Sequence, residues 1–269
     1  MPMAKNTVVI ACDGPARAGK TTLANNFDNK LGIPCLNTGK IYRALAVLIM
    51  QKLDVASLDK ISEKKIQDTL ETIDLSKLQV TFDGKVYYAT REYDELMTPE
   101  FGNAARMVSN VKEIRSSIVE PMVIKMIEKC DYPVVISEGR DEGRLWKDAG
   151  HLGLAIFLSV DPVVAAIRER HIRQALHYET PSLREITNTL MTYDLDNARR
   201  SFHPTYIAEK PVVFTGRLDR SIKRAIAEKN QIIVPTSSID IPTVFKRVLR
   251  LTDAAGLLSE REKSQVSLL

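Results

Sequence analysis

The feature that most constrains the fold is a loop near the start of the chain, residues 14–21, with the sequence Gly-Pro-Ala-Arg-Ala-Gly-Lys-Thr. It follows an apolar run at residues 8–12 and overlaps the start of a helical pattern at residues 20–31. Glycines in such a loop let backbone N–H groups curl around phosphate oxygens, and the N-terminus of the following helix attracts the same anion. The pattern therefore predicts a strand, a phosphate-binding loop and a helix, in that order.

The loop also predicts individual roles for its side chains. Lys20 is expected to place its charge on the β and γ phosphates of a nucleotide, and Thr21 to offer its hydroxyl to Mg²⁺. A glycine-rich turn that arose by chance is the alternative, and the flanking strand and helix argue against it. The residues predicted to bind the nucleotide are Gly14, Ala16, Arg17, Ala18, Gly19, Lys20, Thr21 and Thr22.

The rest of the chain alternates between two kinds of pattern. Short runs rich in Val and Ile, which suit strands buried on both faces of a parallel sheet, occur at residues 8–12, 33–36, 133–136, 152–160 and 232–234. Helical patterns lie between them, at residues 20–31, 41–52, 111–129, 161–176, 182–201 and 243–252. This alternation predicts the α/β class with a doubly wound, mostly parallel sheet.

Two segments interrupt the alternation. Residues 78–88 read as two short strands around Asp83-Gly84, which is a strong hairpin signal, so we predict a small antiparallel insertion at about residues 57–105. The polar, charged region from Arg168 to about Lys229 reads as long mobile helices. A core with two such excursions is typical of an enzyme that closes over its substrate.

Composition narrows the class of protein. The 269 residues are 44% hydrophobic and 27% charged, which excludes a largely disordered chain and suits one large domain or two modest ones. The net charge of +4 fits a local anion site better than a nucleic-acid-binding face. The sequence contains no apolar stretch of membrane-spanning length. We expect a cytoplasmic, monomeric protein with reduced cysteines that binds small molecules, without a membrane or nucleic acid.

Two further polar clusters follow predicted strands, where open α/β sheets bind ligands. Thr38 could cap the helix after the second strand, and Arg43 either binds an anion or is an ordinary solvated arginine. After the third strand, Glu138 could hold a Mg²⁺-bound water opposite Thr21, and Arg140 could grip a phosphate through two parallel hydrogen bonds. A surface ion pair is the alternative for this second cluster.

Several segments together carry a resemblance to a known family: Asp13-Gly14-Pro15, Thr38-Gly39 with Tyr42-Arg43-Ala44-Leu45, Thr98-Pro99-Glu100 with Gly102-Asn103-Ala104-Ala105, and Gly139-Arg140-Asp141. In order and spacing they resemble the bacterial cytidylate kinases, a family of phosphate-loop nucleoside-monophosphate kinases. The similarity covers about residues 7–204 and resumes at about 231–251. It implies phosphoryl transfer from ATP to CMP or dCMP, with Mg²⁺, by a single domain spanning residues 1–269.

The resemblance also implies subdomains and residue roles. It implies a monophosphate-binding insertion at about 57–105 and a helical lid at about 168–204, and it leaves about 205–222 without a counterpart. The residues implied to surround the acceptor monophosphate are Thr38, Tyr42, Arg43 and Arg140. Those implied to read the cytosine are Arg115 and Asp141. Those implied to meet the sugar and the transferring phosphate are Asp196 and Arg199. The implied catalytic charges are Lys20, Arg43, Arg140 and Arg199.

Departures from the family pattern leave two alternatives open. Arg106 stands where the family usually has a serine near the base, so base specificity could differ. Thr192 and Leu195 stand where the family commonly has lid arginines, so the chain could bind nucleotides with weakened catalysis. Arginines on the preceding helix could compensate: Arg168, Arg170 and Arg173. A basic cluster without counterpart is read as a solvated helix face or, alternatively, a contact with a partner or with nucleic acid: Arg217, Arg220, Lys223 and Arg224.

Overall fold

The structure is a computed structural model that describes residues 7–74, 81–82, 85–86, 99–199 and 212–266, without the side chains of residues 81–82, 85–86, 99–100, 196–199 and 266. The chain divides into two compact units, one comprising Met1–Cys35 and Tyr132–Leu269, the other Leu36–Asp131. Among the described residues, none of the helices combines the length and apolar character that a bilayer span requires.

The described strands are short and are spread along the whole chain. They are β1 (Val8–Asp13), β2 (Cys35–Asn37), β3 (Thr81–Phe82), β4 (Lys85–Val86), β5 (Val134–Glu138), β6 (Leu152–Ser159), β7 (Val212–Val213) and β8 (Ile232–Pro235). The helices are α1 (Lys20–Leu31), α2 (Thr38–Leu53), α3 (Glu63–Leu70), α4 (Pro99–Asn110), α5 (Lys112–Ile114), α6 (Glu120–Glu128), α7 (Glu142–Asp148), α8 (Pro162–Ala175), α9 (Leu183–Arg199), α10 (Arg220–Ala227), α11 (Ile241–Ala254) and α12 (Glu260–Val266).

Six strands form the main sheet, in the order β2-β5-β1-β6-β8-β7. The pairs β1–β5, β1–β6, β6–β8 and β7–β8 are all parallel. Val9, Ile10 and Cys12 in the central strand β1 have no exposed surface, as expected for a strand covered on both faces. The predicted α/β class with a mostly parallel sheet is confirmed.

Helices α1 and α11 cover part of this sheet with apolar side chains. Phe27 of α1 and Phe245 of α11 pack edge to face, with ring centroids 5.4 Å apart. Both rings belong to the core cluster that also contains Ile10, Ile136 and Ile156 from three strands. An aromatic pair of this geometry stabilises a fold by about 0.5–1.5 kcal/mol beyond the area it buries. The helix that follows the phosphate loop is therefore anchored to the sheet.

The prediction of mobile helices from Arg168 to Lys229 is wrong for its last part. Residues 212–213 form the edge strand β7, and Phe214 directly after it has no exposed surface. Helix α10 then packs Ile222 and Ala225 into the core. A strand of two residues is too short to produce a periodic apolar pattern in the sequence. Its place in the sheet is set by pairing with β8, whose residues lie about twenty positions further along the chain. Residues 200–211, which include the first part of the unmatched segment at about 205–222, lie outside the described residues.

The second unit is mainly helical. Helix α2 packs against α3 and α4, and it buries Ile41, Leu45 and Ile49 completely. The helical pattern predicted at residues 111–129 is confirmed, and within it a π-helical turn, Arg115–Val119, separates α5 from α6. Pro121 follows that turn and has no N–H to donate to the carbonyl four residues back, which favours an irregular turn before it.

The predicted hairpin is present as a short antiparallel pair. Thr81 pairs with Val86 and Phe82 with Lys85. Its turn, Asp83-Gly84, lies outside the described residues. The extent of the insertion, about residues 57–105, stays a prediction.

Candidate active site

The phosphate loop connects β1 to α1 and approaches the sheet closely. Gly14 has a φ of 148°, and a Cβ there would lie 2.4 Å from the carbonyl oxygen of Leu158 in β6. Gly19, just before α1, has a φ of 100°. Both glycines are therefore required by the backbone. Of the side chains predicted to bind the nucleotide, Ala18 is buried and Thr22 is exposed.

Lys20 and Thr21 lie at the start of α1 and contact the loop and the end of β5. Lys20 Nζ donates to the carbonyl oxygens of Gly14, at 2.8 Å, and Pro15, at 2.9 Å. Burial and then nearby Arg140 lower the pKa of Lys20 to about 8, against the opposing charge of Glu138. Thr21 Oγ1 donates to Glu138 Oε2 at 3.0 Å. The structure thus brings together the two side chains predicted to face Mg²⁺.

Asp13, at the end of β1, organises the turn that carries Arg140 and Asp141. Its buried carboxylate accepts the backbone N–H groups of Glu142, at 2.8 Å, and Gly143, at 2.9 Å, at the start of α7. Burial raises the pKa of Asp13, and these two hydrogen bonds oppose that effect. Because Asp13 also begins the phosphate loop, one side chain ties the turn after β5 to that loop.

Asp141 lies in that turn with most of its side chain buried. Its Oδ2 accepts from Arg144 Nε at 2.6 Å. Burial raises the pKa of Asp141 to about 7, with Asp13 and Glu142 adding to the effect and Arg144 opposing it. The carboxyl therefore changes its protonation state near neutral pH.

Arg140 is paired with a carboxylate of α9 that the sequence did not single out. Asp194 of α9 accepts from Arg140 Nη1 at 2.6 Å with the same oxygen that accepts the backbone N–H of Ala16 at 3.4 Å. Both donors are groups that the sequence assigns to phosphate. Asp194 therefore marks the point where an arginine and a loop N–H converge on one anionic oxygen.

A cavity of about 400 Å³ lies beside the phosphate loop. Its walls are the loop and the start of α1, helix α8 with Arg168, and the segment after β8 with Thr236 and Ile239. Arg168 donates to the Thr236 carbonyl oxygen at 2.6 Å and to the Arg17 carbonyl oxygen at 3.0 Å. A cleft of mixed apolar and polar lining next to a phosphate loop suits a purine base and its ribose.

Helices α8 and α9 carry Thr192 and Leu195, two of the departures from the family pattern, and the three arginines that could compensate for them. Thr192 Oγ1 donates to the Asn188 carbonyl oxygen of its own helix, and Leu195 is 51% exposed. Of the three candidate compensating arginines, Arg168 lines the cavity, Arg170 is exposed and Arg173 pairs with Glu169. Asp196 and Arg199 belong to α9, and their side chains lie outside the described residues.

The second unit carries the other predicted acceptor-site residues. Thr38 is buried at the first turn of α2, while Tyr42 and Arg43 are half-buried on the same helix. The expected cap is wrong: Asn37, not Thr38, caps α2, because the Asn37 side chain accepts the Lys40 N–H at 3.1 Å. Arg115 is a buried arginine in the π-helical turn.

Helix α4 approaches Arg43 through a glycine. A Cβ on Gly102 would lie 3.1 Å from Arg43 Nη2, so a larger residue there would press on the guanidinium. One turn further along α4, Arg106 donates to Asn103 Oδ1 from Nε at 3.3 Å and from Nη2 at 3.2 Å. Arg106 is half-buried rather than fully turned to solvent.

Sequence reasoning missed three residues of the first unit: Asp194, Glu169 and Thr236. Asp194 contacts Ala16 of the phosphate loop, Glu169 contacts Arg17 of the same loop, and Thr236 contacts Arg168 beside it. The two residues of each contact lie far apart in sequence. Charged residues on polar helices and a threonine after a strand carry no local signal of such contacts. Only the folded arrangement identifies them.

Comparison with known proteins identifies the family of the chain. Residues 10–249 match the family model for cytidylate kinase. A cytidylate kinase of Thermotoga sp. (strain RQ2) is 29% identical over 248 residues, which span 90% of this chain and 95% of that protein. A cytidylate kinase of Fervidobacterium nodosum is 32% identical over 198 residues, spanning 72% of this chain and 82% of that protein. With a family match over nearly its whole length, the chain belongs to the cytidylate kinase family, the ATP-dependent nucleoside-monophosphate kinases that several of its segments resemble.

Proposed function

We propose that the protein transfers the γ-phosphoryl group of ATP to CMP or dCMP, giving ADP and CDP or dCDP, and acts as a cytoplasmic monomer. The observation that carries the choice of base is Asp141, a largely buried carboxylate beside Arg140 at the carboxyl end of β5. A carboxylate accepts a hydrogen bond from the amino group of cytosine and repels the carbonyl oxygen that uracil has at that position. Arg115 supplies donors for the cytosine carbonyl and ring nitrogen.

The reaction needs no general base. An oxygen of the acceptor monophosphate is already an anionic nucleophile, so it forms the new bond to the γ-phosphorus while the bond to the β–γ bridging oxygen breaks. The protein's task is to align the two nucleotides and to neutralise charge. We assign that task to four cations: Lys20, Arg43, Arg140 and Arg199.

Thr21 and Glu138 fit a Mg²⁺ site. They are hard oxygen donors 3.0 Å apart beside the phosphate loop. In the part of the chain that the structure describes, no group of three or more His, Cys, Asp or Glu is arranged to hold a metal ion. Mg²⁺ in kinases is held by one or two protein oxygens together with substrate phosphates and water, so this small set is sufficient. When bound, Mg²⁺ neutralises charge on the β and γ phosphates. Thr21 would bind it directly, and Glu138 through water.

The subdomain roles complete the proposal. The insertion at about 57–105 binds the monophosphate, and the lid at about 168–204 closes over the nucleotides with Asp196 and Arg199. No role is assigned to residues 205–222.

A product assay tests the proposal against a nucleotide-binding protein with weakened catalysis. With ATP, CMP and Mg²⁺ we expect equal amounts of ADP and CDP, and no CDP after excess EDTA removes the metal. Hydrolysis of ATP without CDP, or CDP formation that survives EDTA, would contradict it.

The raised pKa of Asp141 predicts a pH dependence for CMP binding. Below that pH the Asp141 carboxyl, with its pKa near 7, is protonated and loses the negative charge that strengthens its hydrogen bond from the cytosine amino group. We expect the KM for CMP to fall about tenfold between pH 6 and pH 8, following the ionised fraction of one group.

The matched control is Asp141→Asn, which has no ionisable group at this position. Any pH dependence that it shows comes from the phosphate of CMP or from other residues. Its KM is expected to be high and nearly independent of pH over the same range. Parallel pH profiles for the two proteins would show that Asp141 does not read the base.

A further inference from the structure

Arg17, in the middle of the phosphate loop, has a left-handed backbone conformation with a φ of 60°. A residue with a Cβ adopts this conformation at a cost and keeps it only where its surroundings hold it. Two consecutive residues of α8 do so. Arg168 Nη1 donates to the Arg17 carbonyl oxygen at 3.0 Å, and Glu169 Oε2 accepts from Arg17 Nε. The loop is held at its backbone and at a side chain by one helix.

Glu169 is a buried carboxylate shared by two arginines. It is 7% exposed; Oε2 accepts from Arg17, and Oε1 accepts from Arg173 Nε at 2.8 Å. Burial raises the pKa of Glu169, but Arg17 and Arg173 outweigh that effect, so its pKa lies below the usual value. Glu169 is therefore charged at neutral pH, and each arginine partner engages a different oxygen.

The same helix pair supports the loop at a second point. Ala16 packs against the apolar cluster formed between α8 and α9 by Ala165, Ala166, Ile186 and Leu190. Arg173 Nη1 also donates to the Glu179 carbonyl oxygen, in the segment that joins α8 to α9, at 3.2 Å. Glu169 is thus linked through Arg17 to the phosphate loop and through Arg173 to the segment that joins α8 to α9.

We infer that Glu169 is a positioning residue for the donor nucleotide: by holding Arg17 it fixes the shape of the loop that receives the ATP phosphates. The inference rests on the proposed placement of ATP at this loop. Arg17 borders the cavity beside the loop together with Lys20 and Thr21. When Arg17 leaves its left-handed conformation, the neighbouring backbone N–H groups change direction, and these are the groups that cradle phosphates.

The inferred role predicts a loss that is specific to one substrate. Glu169→Gln keeps the size of the side chain and removes its charge. A charge-assisted hydrogen bond is lost, which corresponds to an increase of about tenfold in the KM for ATP. The KM for CMP is expected to change less than about twofold by the same measure, because Glu169 contacts the donor side only. The matched control is Glu228→Gln, which removes the exposed partner of Arg224 on α10 and is expected to leave both KM values unchanged.

Variants of Arg17 separate positioning from general stability. Arg17→Ala is expected to match Glu169→Gln in the KM for ATP, and the double variant to exceed neither, because all three lack the same Arg17–Glu169 ion pair. Arg17→Gly is expected to raise the KM for ATP less than Arg17→Ala, because glycine adopts a φ of 60° freely. Thermal unfolding shows whether Glu169→Gln folds. If it does not, the variants of Arg17, which is only half-buried, test the inference by themselves.

Two results would overturn the inference. One is an unchanged KM for ATP in folded Glu169→Gln or Arg17→Ala protein. The other is an equal rise in both KM values. The variant Lys20→Ala distinguishes a failure of this inference from a failure of the proposed function. If Lys20→Ala retains turnover, the placement of ATP is wrong; if it loses turnover while Glu169→Gln keeps the wild-type KM for ATP, only the role of Glu169 is wrong.

Discussion

Replacing Lys20 with alanine is expected to lower phosphoryl transfer by at least about 10²-fold without unfolding the protein. The ammonium group feels the charge of Glu138 and donates to the carbonyl oxygens of Gly14 and Pro15. Its loss removes a charge that the migrating phosphoryl group meets in the transition state, and a single preorganised donor of this kind contributes about 10²–10³ in rate.

The effect of Lys20→Ala on stability is expected to be small or favourable. Burial lowers the pKa of Lys20 to about 8, so below that pH the fold carries the cost of a desolvated cation, and alanine removes that cost. The turnover number, the KM values and the melting temperature should be measured together. The control is Lys223→Ala, an exposed lysine on α10. Near-normal turnover in folded Lys20→Ala protein would refute the assignment of the phosphate loop.

Arg43→Lys and Arg140→Lys are expected to lower kcat/KM for CMP by about 10²-fold or more while leaving ATP affinity nearly unchanged. Lysine keeps the positive charge but loses the planar guanidinium that grips a phosphate at two points. Arg140 already donates from Nη1 to one anionic oxygen, that of Asp194. Arg43 borders Gly102, where the close approach of helix α4 leaves its guanidinium little room to shift.

These two variants are tested by titrating ATP and CMP separately. Arg224→Lys, which changes an exposed arginine paired with Glu228, is the control. Weaker ATP binding with unaltered CMP binding would reverse the assignment of Arg43 and Arg140 to the acceptor.

The sequence predicted the sheet well because its strands carry strong local signals. Residues 8–12 and 152–160 are continuous apolar runs, and they became the central strands β1 and β6. Strand β7 has two residues, and the turn at Arg115–Val119 depends on how the chain accommodates a proline, so neither produces a regular apolar period. Such features follow from tertiary contacts rather than from local propensity.

In the candidate site, too, residues with a local sequence signal were predicted, and residues placed only by tertiary contacts were not. A motif with fixed spacing identified Lys20 and Thr21, and a strand end identified Glu138, 117 residues from Thr21. Asp194 and Glu169 lie on polar helices, where most charges are solvated, so their contacts with the phosphate loop could be found only in the fold.

The central claim, that this kinase phosphorylates cytidine nucleotides, is tested most directly by kcat/KM for CMP, dCMP, UMP and AMP, measured in a coupled assay of ADP release. We expect CMP or dCMP to exceed UMP by about tenfold or more, because each unpaired group in a buried base site costs about 1–3 kcal/mol. Because Arg106 bonds to Asn103 within its own helix, Arg106→Ser is expected to leave the CMP-to-UMP ratio unchanged. A wild-type preference for UMP or AMP would contradict the claim.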